Sequence, residues 1–494
     1  MNGDLILVID EGTTSTRAVA FTLDGRIATS ASRPLTQHYP ANGWVEHDAE
    51  EIWRETLACC EAVTAEVGAE RLIAIGITNQ RETVVFWDRA TGAPLAPAIV
   101  WQDRRTAEQC SALKTDGQEA AVQRTTGLLL DPYFSATKMR WGLDHIDPVR
   151  RAADAGTLAM GTVDAYLRAR LAGDGAAAHT DVTNAARTLL MNLSDGDWSA
   201  DMLALFAVPG AALPEIGPCA GALGETTLIG GRTLPITGVA GDQQAAMVGQ
   251  ACFAPGDVKA TYGTGAFLLA NAGRAVPTSG HRLLATPAWQ VADQTVYALE
   301  GSIFVAGSAV QWLRDQLGLI GDAAETEALA ASVPDTGGVR FVPALAGLGA
   351  PWWQPEARGL IAGLSGGTTK AHLVRACLEA MGDQTADVLA AMAADGVAPK
   401  TLRVDGGMVR NDWLCQDLAD ALGIMVERPE IVETTAMGAA MLAGVGAGSF
   451  ASLADAAAAV RRVDRSFEPS TSADARASRR AGWHRAIAQV EAGL

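Results

Sequence analysis

The sequence predicts an α/β protein built from two domains, and three observations support this fold class. The chain has 494 residues, 49% of them hydrophobic, which is more than one core usually serves and enough material for two. Short apolar runs that end in a carboxylate or a glycine alternate with segments of helical spacing. Two hairpins of similar design, at residues 5–24 and 257–270, lie in opposite halves of the chain and indicate duplicated domains.

The first hairpin contains a turn suited to phosphate. Residues 5–9 are typical of a strand buried on both faces, and Asp10 follows directly. A glycine and a run of hydroxyl residues come next, and Arg17 adds a fixed positive charge; the hydroxyl residues include Thr13, Thr14 and Ser15. Open backbone N–H groups in such a turn can hold phosphate oxygens. No Gly-Lys-Ser/Thr sequence follows, which excludes a Walker loop, and an ordinary polar hairpin tip is the alternative interpretation.

The composition of the chain argues against several classes of binding partner. The formal net charge of -18 argues against nucleic acid or an anionic membrane, because such surfaces are met with clustered Lys and Arg. The seven cysteines form no Cys-x-x-Cys pair, which is typical of free thiols in a reducing compartment and offers no zinc framework. No apolar run is long enough to span a bilayer, and the N-terminus lacks the basic flank of a signal peptide. We therefore expect a cytoplasmic protein.

A second buried strand in the first half leads to paired charges. Residues 72–77 form this strand, and Arg81 and Glu82 lie just beyond it, where α/β folds usually bind ligands. The Arg81 guanidinium donates hydrogen bonds and the Glu82 carboxylate accepts them, which suits the hydroxyls of a neutral polyol. The alternative interpretation is that the two residues form a solvated ion pair. Earlier in the chain, Asp48 is expected to cap a helix, and His47 to be a surface or capping residue rather than a metal ligand.

Four more candidate residues follow strands or lie in turns. Trp101 ends a short apolar strand and would be assigned to the core on this evidence alone, while Tyr133 lies in a turn. Residues 235–240 form a strand that leads through a glycine to Asp242, and Gln243 then continues into a helix of small residues. Asp242 fits either a general base or a helix N-cap, and both interpretations stay open here.

The second half of the chain repeats the opening design. Residues 257–270 form a hairpin with a Gly-Thr-Gly tip centred on Thr264. Two such tips would hold one polyphosphate from opposite sides of a cleft, so we expect an N-terminal domain of residues 1–249 and a C-terminal domain of residues 250–494. The strand at residues 402–408 ends in Asp-Gly-Gly, which allows a nucleotide to approach the backbone closely.

The secondary structure of the C-terminal region is predicted from weaker sequence patterns. Residues 426–429 are expected to form the last strand of the protein. The Ala-rich segment from residue 453 predicts a surface helix, and residues 470–478 predict a loop.

The ordered motifs of the whole chain resemble the sugar-kinase family of the actin-like ATPase superfamily, and within it the glycerol kinases. The motifs are DEGTTSTRAV, GWVEHD, IGITNQRET, IVWQDRRTAE, TGLLLDPYFSATK, GVAGDQQAA, TYGTGAF, QWLRD, GLGAPWW, LRVDGG and VERPE. The resemblance implies two actin-like (ribonuclease H-like) domains with ATP in the cleft between them. It also implies ATP-dependent phosphorylation of glycerol to sn-glycerol 3-phosphate, in glycerol catabolism.

The resemblance assigns roles residue by residue. Asp242 would be the general base, and Asp10 would organise Mg²⁺ through water. Glycerol would contact Arg81, Glu82, Trp101, Tyr133, Asp242, Gln243 and Phe267. The phosphates would contact Thr13, Thr14, Ser15, Arg17 and Thr264, and the nucleoside Gly307, Gln311, Gly407 and Asn411.

This chain also departs from the family pattern. Glu11 stands where many relatives have Gln, which adds a negative charge near the phosphates. Residues 229–232 are shorter than the glycine-rich loop with which some members bind a sugar bisphosphate, so control by such an effector is not expected. A kinase for a longer polyol or a ketose, and an actin-like nucleotide switch without an acceptor, are the competing hypotheses. The sequence leaves the oligomeric state open, a homo-oligomer included.

Overall fold

Two mixed β-sheets form the centre of the molecule in the computed structural model, which describes residues 3–173, 175 and 177–493. In chain order, the strands of the first half are β1 (Leu5–Glu11), β2 (Ser15–Thr22), β3 (Ile27–Pro34), β4 (Glu46–His47), β5 (Leu72–Asn79), β6 (Val85–Asp88), β7 (Ala98–Ile99), β8 (Leu158–Gly161), β9 (His179–Asp181), β10 (Met191–Asn192), β11 (Asp197–Trp198), β12 (Glu215–Gly217), β13 (Glu225–Thr226) and β14 (Leu234–Gly241). Those of the second half are β15 (Asp257–Tyr262), β16 (Ala266–Gly273), β17 (Leu284–Val291), β18 (Gln294–Ile303), β19 (Arg340–Val342), β20 (Leu360–Ala362), β21 (Thr401–Asp405), β22 (Met425–Pro429) and β23 (Val463–Phe467).

Helices surround the two sheets. They are α1 (Ala49–Val67), α2 (Ala107–Thr115), α3 (Glu119–Thr126), α4 (Ser135–His145), α5 (Asp147–Ala155), α6 (Val163–Ala172), α7 (Val182–Ala185), α8 (Ala200–Leu205), α9 (Asp242–Gly249), α10 (Gly307–Asp315), α11 (Glu325–Ala331), α12 (Lys370–Ala394), α13 (Asp412–Leu422), α14 (Thr434–Gly446), α15 (Leu453–Val460) and α16 (Ala473–Glu491). Short 3₁₀ turns cover Ala69–Arg71, Gly210–Ala212 and Gly407–Arg410. Among the described residues, no helix combines the length and apolar character that crossing a membrane requires.

The first sheet brings three strand ends to one level. Its order is β13-β14-β5-β1-β2-β3, and β14, β5 and β1 run parallel to one another. Asn79 pairs with Glu11 on one side and with Gly241 on the other. Asp10 near the end of β1, Arg81 after β5 and Asp242 after β14 therefore lie at one edge of the sheet.

The second sheet repeats the arrangement at its own hairpin. Its order is β17-β18-β16-β15-β21-β22-β23, with β15 antiparallel to β16 and parallel to β21. Thr261 pairs with Asp405, so the hairpin tip lies beside the glycines that follow β21. A Cβ on Gly406 would lie 2.4 Å from the carbonyl oxygen of Tyr262, and its φ of +95° also favours glycine.

Two helices of small residues connect the halves. A Cβ on Gly438 of α14 would lie 1.8 Å from the carbonyl oxygen of Ala245 in α9, and one on Gly249 would lie 2.0 Å from the carbonyl oxygen of Thr434. Glycine alone permits this separation of the two helices. Helix α14 follows the second sheet in sequence yet packs on the first, where a Cβ on Gly76 would lie 2.6 Å from the carbonyl oxygen of Ala439. The two halves of the sequence therefore interlock at α14.

Three sequence expectations are wrong. Strand β22 is not the last, because β23 pairs antiparallel with it at the sheet edge; four of its five residues are exposed, so no hydrophobic alternation marked it. Residues 473–478 are not a loop but the start of α16, where the Ser472 side chain accepts a hydrogen bond from the Ala475 N–H. His47 is not on the surface: it is 1% exposed, and burial lowers its pKa to about 4.

Candidate active site

Arg81 and Glu300 form a buried ion pair that joins the two halves of the chain. Arg81 follows β5, and Glu300 lies in β18 of the second sheet. The guanidinium donates from Nη1 to Glu300 Oε2 at 2.7 Å and from Nη2 to Oε1 at 3.1 Å. Both side chains are almost fully buried, at 2% and 0% exposure. Two parallel hydrogen bonds between ionised groups fix orientation as well as charge.

Arg187 completes a buried ion cluster, defined here as Arg81, Glu82, Arg187 and Glu300. Arg187 Nε donates to Glu82 Oε1 at 2.5 Å, and its Nη2 donates to Glu300 Oε1 at 3.0 Å. Two positive and two negative groups balance, as a buried set of charges requires. Burial alone would raise the pKa of Glu300, but the guanidinium groups of Arg187 and Arg81 outweigh it and hold this pKa at about 2.

Asp242 connects this cluster to the open cleft. It is the first residue of α9, and its Oδ1 lies 3.2 Å from Arg81 Nε. The Gln243 backbone N–H donates to Oδ1 at 2.7 Å, and the Gln243 side-chain Nε2 donates to Oδ2 at 3.3 Å. Gly241, not Asp242, occupies the N-cap position of α9. With 32% of its side chain exposed, the carboxylate is oriented by neighbours and still open to a ligand.

The predicted aromatic residues divide into a pair and a separate ring. Trp101 and Tyr133 pack edge to face with ring centroids 5.6 Å apart, and Arg81 Nη2 donates to the Tyr133 hydroxyl at 3.5 Å. Burial raises the pKa of that hydroxyl well above its usual range. Phe267 lies half-buried on β16 of the second sheet, and no aromatic pair within residues 3–173, 175 and 177–493 joins it to Trp101. The structure packs the first two rings against each other, and Phe267 is not part of that pair.

The first hairpin tip contacts Trp101. Trp101 Nε1 donates to Thr13 Oγ1 at 2.9 Å, and the Gly12 N–H closes the turn on the Ser15 carbonyl at 3.0 Å. Arg17 contacts Asp10, its cross-strand neighbour. Thr14 lies exposed at the tip.

Arg17 also reaches across to the second half. Its Nη1 donates to Glu433 Oε2, just before α14, at 2.6 Å. Arg17 is a third exposed and pairs with two carboxylates, Asp10 and Glu433.

A cavity of about 530 Å³ opens beside the second hairpin tip. We call it the second-sheet cavity. Five predicted residues line it, namely Thr264, Gly307, Gln311, Gly407 and Asn411. Its shape depends on close backbone packing: the Gly307 N–H donates to the Gly263 carbonyl at 2.9 Å, and a Cβ on Gly307 would lie 2.6 Å from that oxygen. The cavity is large enough for a nucleoside.

The chemistry of Asp10 fits a magnesium ion that keeps most of its water. Asp10 is 7% exposed at the end of β1, and burial raises its pKa even though Arg17 opposes this. Within the described part of the chain, no group of three or more His, Cys, Asp or Glu side chains converges on one point. Magnesium commonly takes one or two carboxylates together with waters and substrate phosphates, which matches this donor set.

Comparison with known proteins decides the family. A model of the FGGY family of carbohydrate kinases, N-terminal domain, matches residues 5–249, and that of the C-terminal domain matches residues 258–447. The chain belongs to the FGGY family of carbohydrate kinases. The chain is 56% identical to a glycerol kinase of Rhodospirillum rubrum, covering 99% of both chains, and 55% identical to one of Alcanivorax borkumensis, covering 98% of both.

Solved structures of FGGY kinases share the whole architecture. A glycerol kinase of Plasmodium falciparum with ADP superposes with a TM-score of 0.94 at 35% identity, covering 99% of this chain and 98% of that one. A xylulose kinase from Rhodospirillum rubrum superposes with a TM-score of 0.88 at 27% identity, covering 99% of both chains. The two-domain α/β fold is therefore that of the FGGY kinases.

Sequence reasoning missed two members of the ion cluster of this FGGY kinase. Arg187 lies just after the short helix α7, and no local pattern marks it. Glu300 did carry a signal, because an acidic residue at the end of the apolar run 296–299 needs a buried partner if both faces of the strand are covered. The identity of that partner, Arg81, depends on two segments 219 residues apart and is visible only in the fold.

Proposed function

We propose that this FGGY kinase transfers the γ-phosphate of ATP to a terminal hydroxyl of glycerol, giving sn-glycerol 3-phosphate. The observation that carries the proposal is the Asp242 carboxylate, which Arg81 and Gln243 hold in place while 32% of its side chain stays exposed. The names of relatives at 55–56% identity support glycerol as the acceptor.

Asp242 is the general base in this proposal. It accepts the proton of the hydroxyl as that oxygen attacks phosphorus, while the donors on Oδ1 keep the carboxylate in place. Phosphoryl transfer depends mostly on positioning and on neutralising charge, so a base held from several sides is well suited to it.

Glycerol binds against the buried ion cluster. Its hydroxyls need donors and acceptors together, and Arg81, Glu82 and Tyr133 supply both beside Asp242 and Gln243. The ring of Trp101 covers one side of this polar set, and Phe267 reaches the carbon backbone from the second sheet. Because the buried ion cluster is assembled in advance, little reorganisation is required when the polyol binds.

ATP occupies the second-sheet cavity and extends its phosphates toward both tips. Gly307, Gln311, Gly407 and Asn411 hold the nucleoside, and Thr264 with Thr13, Thr14, Ser15 and Arg17 holds the phosphates. Asp10 would hold Mg²⁺ through water, and the ion would neutralise phosphate charge. The seven cysteines are buried free thiols, which fits the reducing cytoplasm we propose as the location.

A coupled ADP-release assay tests the proposal. ADP release should require an acceptor and Mg²⁺ and should be fastest with glycerol among glycerol, dihydroxyacetone, erythritol and xylulose. Preference for a longer polyol or a ketose would indicate that the protein is a related sugar kinase and would contradict glycerol as the acceptor. ATP hydrolysis that is indifferent to glycerol and to Arg81→Ala would support a nucleotide switch instead.

A further inference from the structure

Lys259 is a buried cation behind the proposed base. It lies in β15, is 0% exposed, and its ammonium donates to Gln243 Oε1. Burial lowers its pKa, and the charged groups that face it are Asp405, Asp242, Arg81 and Glu300. Burying an ammonium group costs free energy, and packing alone does not explain why a lysine is buried next to Asp242.

The chemistry of the contact fixes the orientation of the Gln243 amide. An ammonium has three donors and no acceptor, so it can bind only the amide oxygen of Gln243. Once that oxygen is committed to Lys259, the NH₂ group points the other way, toward Asp242 Oδ2 at 3.3 Å. A reversed amide would place an oxygen against the carboxylate, and two acceptors repel.

We infer that Lys259 is a positioning residue for Asp242 and acts through the amide of Gln243. The inference rests on the proposed function for its kinetic consequences. Arg81 and the Gln243 backbone N–H hold Oδ1 of Asp242. The side-chain amide of Gln243 fixes Oδ2 of Asp242, which is the oxygen that remains to accept the proton. Lys259 therefore acts on turnover more than on glycerol binding.

The principal test replaces the donor with an apolar chain of similar length. In Lys259→Met, kcat should fall about 10- to 100-fold, less than the roughly 10²- to 10⁴-fold that a positioned general base contributes. The glycerol KM should change less than about threefold, because the ion cluster is intact. Lys114→Met, on the surface of α2, removes one lysine charge elsewhere and should match the wild type. An unchanged kcat in Lys259→Met would overturn the inference.

A double-mutant cycle separates positioning from direct contact with the phosphates. If Lys259 acts through Gln243, then Lys259→Met added to Gln243→Met should change kcat by no more than about twofold. Independent, multiplicative losses would show that Lys259 acts elsewhere and would overturn the inference.

Two further measurements keep the inference testable if Lys259→Met misfolds or glycerol is not the acceptor. Gln243→Glu keeps a partner for Lys259 but turns an oxygen toward Asp242, so kcat should fall as in Lys259→Met; normal turnover would contradict the orientation argument. A crystal structure of Lys259→Met or, if that variant misfolds, of Gln243→Glu should show the Asp242 carboxylate displaced from residue 243. An undisturbed carboxylate would overturn the inference whatever the substrate, whereas a wild type without glycerol-dependent ADP release would overturn only the proposed function.

Discussion

The two sides of the proposed ligand site are built from different kinds of residue. On one side, the buried ion cluster matches two arginines with two glutamates whose side chains are at most 2% exposed. On the other, the second-sheet cavity is lined mostly by uncharged residues, three glycines among them, and Thr264, Gln311 and Gly407 are exposed in it. A small polyol needs fixed donors and acceptors, whereas a large nucleoside can be held by shape.

This difference predicts where substitutions are costly. Charge changes in the ion cluster leave an unmatched buried ion, so both folding and binding should respond. Changes in the cavity remove single contacts at a surface that water already reaches, and the effects should be smaller.

The largest effect is expected for Glu300→Gln. It leaves Arg81 and Arg187 with one buried negative partner, and breaking such a pair costs about 3–5 kcal/mol of the free energy of unfolding. The glycerol KM should rise as well, because Arg81 loses its two-pronged partner. Urea denaturation and initial rates measure the two effects.

Glu50→Gln is the matched control for Glu300→Gln. Glu50 accepts the same two-pronged contact, from Arg170, but its side chain is 48% exposed. The cost there should stay below about 1 kcal/mol. Equal losses at Glu50 and Glu300 would show that burial is not what makes the cluster important.

Asp242→Asn should have the next largest effect. The amide keeps the size of the side chain but is no base, so kcat should fall roughly 10²-fold or more. Glycerol and nucleotide binding should remain close to the wild type by calorimetry, since Arg81 and the cavity are unchanged. Turnover near the wild-type rate would remove Asp242 from the role of base.

Glu11, at the end of β1, is a buried carboxyl whose protonation should make stability depend on pH. It is fully buried, its Oε1 has no hydrogen-bond partner among the described residues, and burial raises its pKa to about 8. In the unfolded chain Glu11 has a pKa of 4.5 and loses its proton above that pH. The folded state therefore keeps this proton between about pH 4.5 and pH 8. Stability should decrease as pH rises from about 4.5 to about 8 and then level off.

Glu11→Gln removes this titration. The variant should be more stable than the wild type at pH 8 by on the order of 1–3 kcal/mol, and close to it near pH 4.5. Thermal unfolding across this range measures the difference. A constant gap between the two proteins at every pH would contradict the assigned cause.

The smallest effect is expected in the second-sheet cavity. Asn411→Ala removes the side-chain oxygen that accepts from the Leu414 N–H at 2.9 Å and caps α13, at a cost of about 1 kcal/mol. The KM for ATP should rise only a few-fold. Ser452→Ala removes a similar cap from α15, outside the cavity, and should cost the same stability without changing the KM. A KM for ATP that moves equally in both variants would show that Asn411 acts only through the fold.

The strand ends were predictable because their signals are local. Apolar runs that finish in Asp10, Arg81 and Asp242 mark buried strands followed by polar turns, and parallel pairing then carries their ends to one edge. The cavity residues were predictable for a different reason, since the roles of Gln311 and Asn411 came from the family resemblance.

The sequence by itself determined which strands are buried, where the turns lie and which family the motifs resemble, because hydrophobic periodicity and glycine positions act over a few residues. Only the tertiary structure decided the pairing of Glu300 with Arg81 and Arg187, the return of α14 to the first sheet, and the contact of Lys259 with Gln243. A charged residue in a buried strand indicates that it needs a partner of opposite charge, but that partner comes from a distant segment of the sequence. Its identity follows from how the two sheets are brought together.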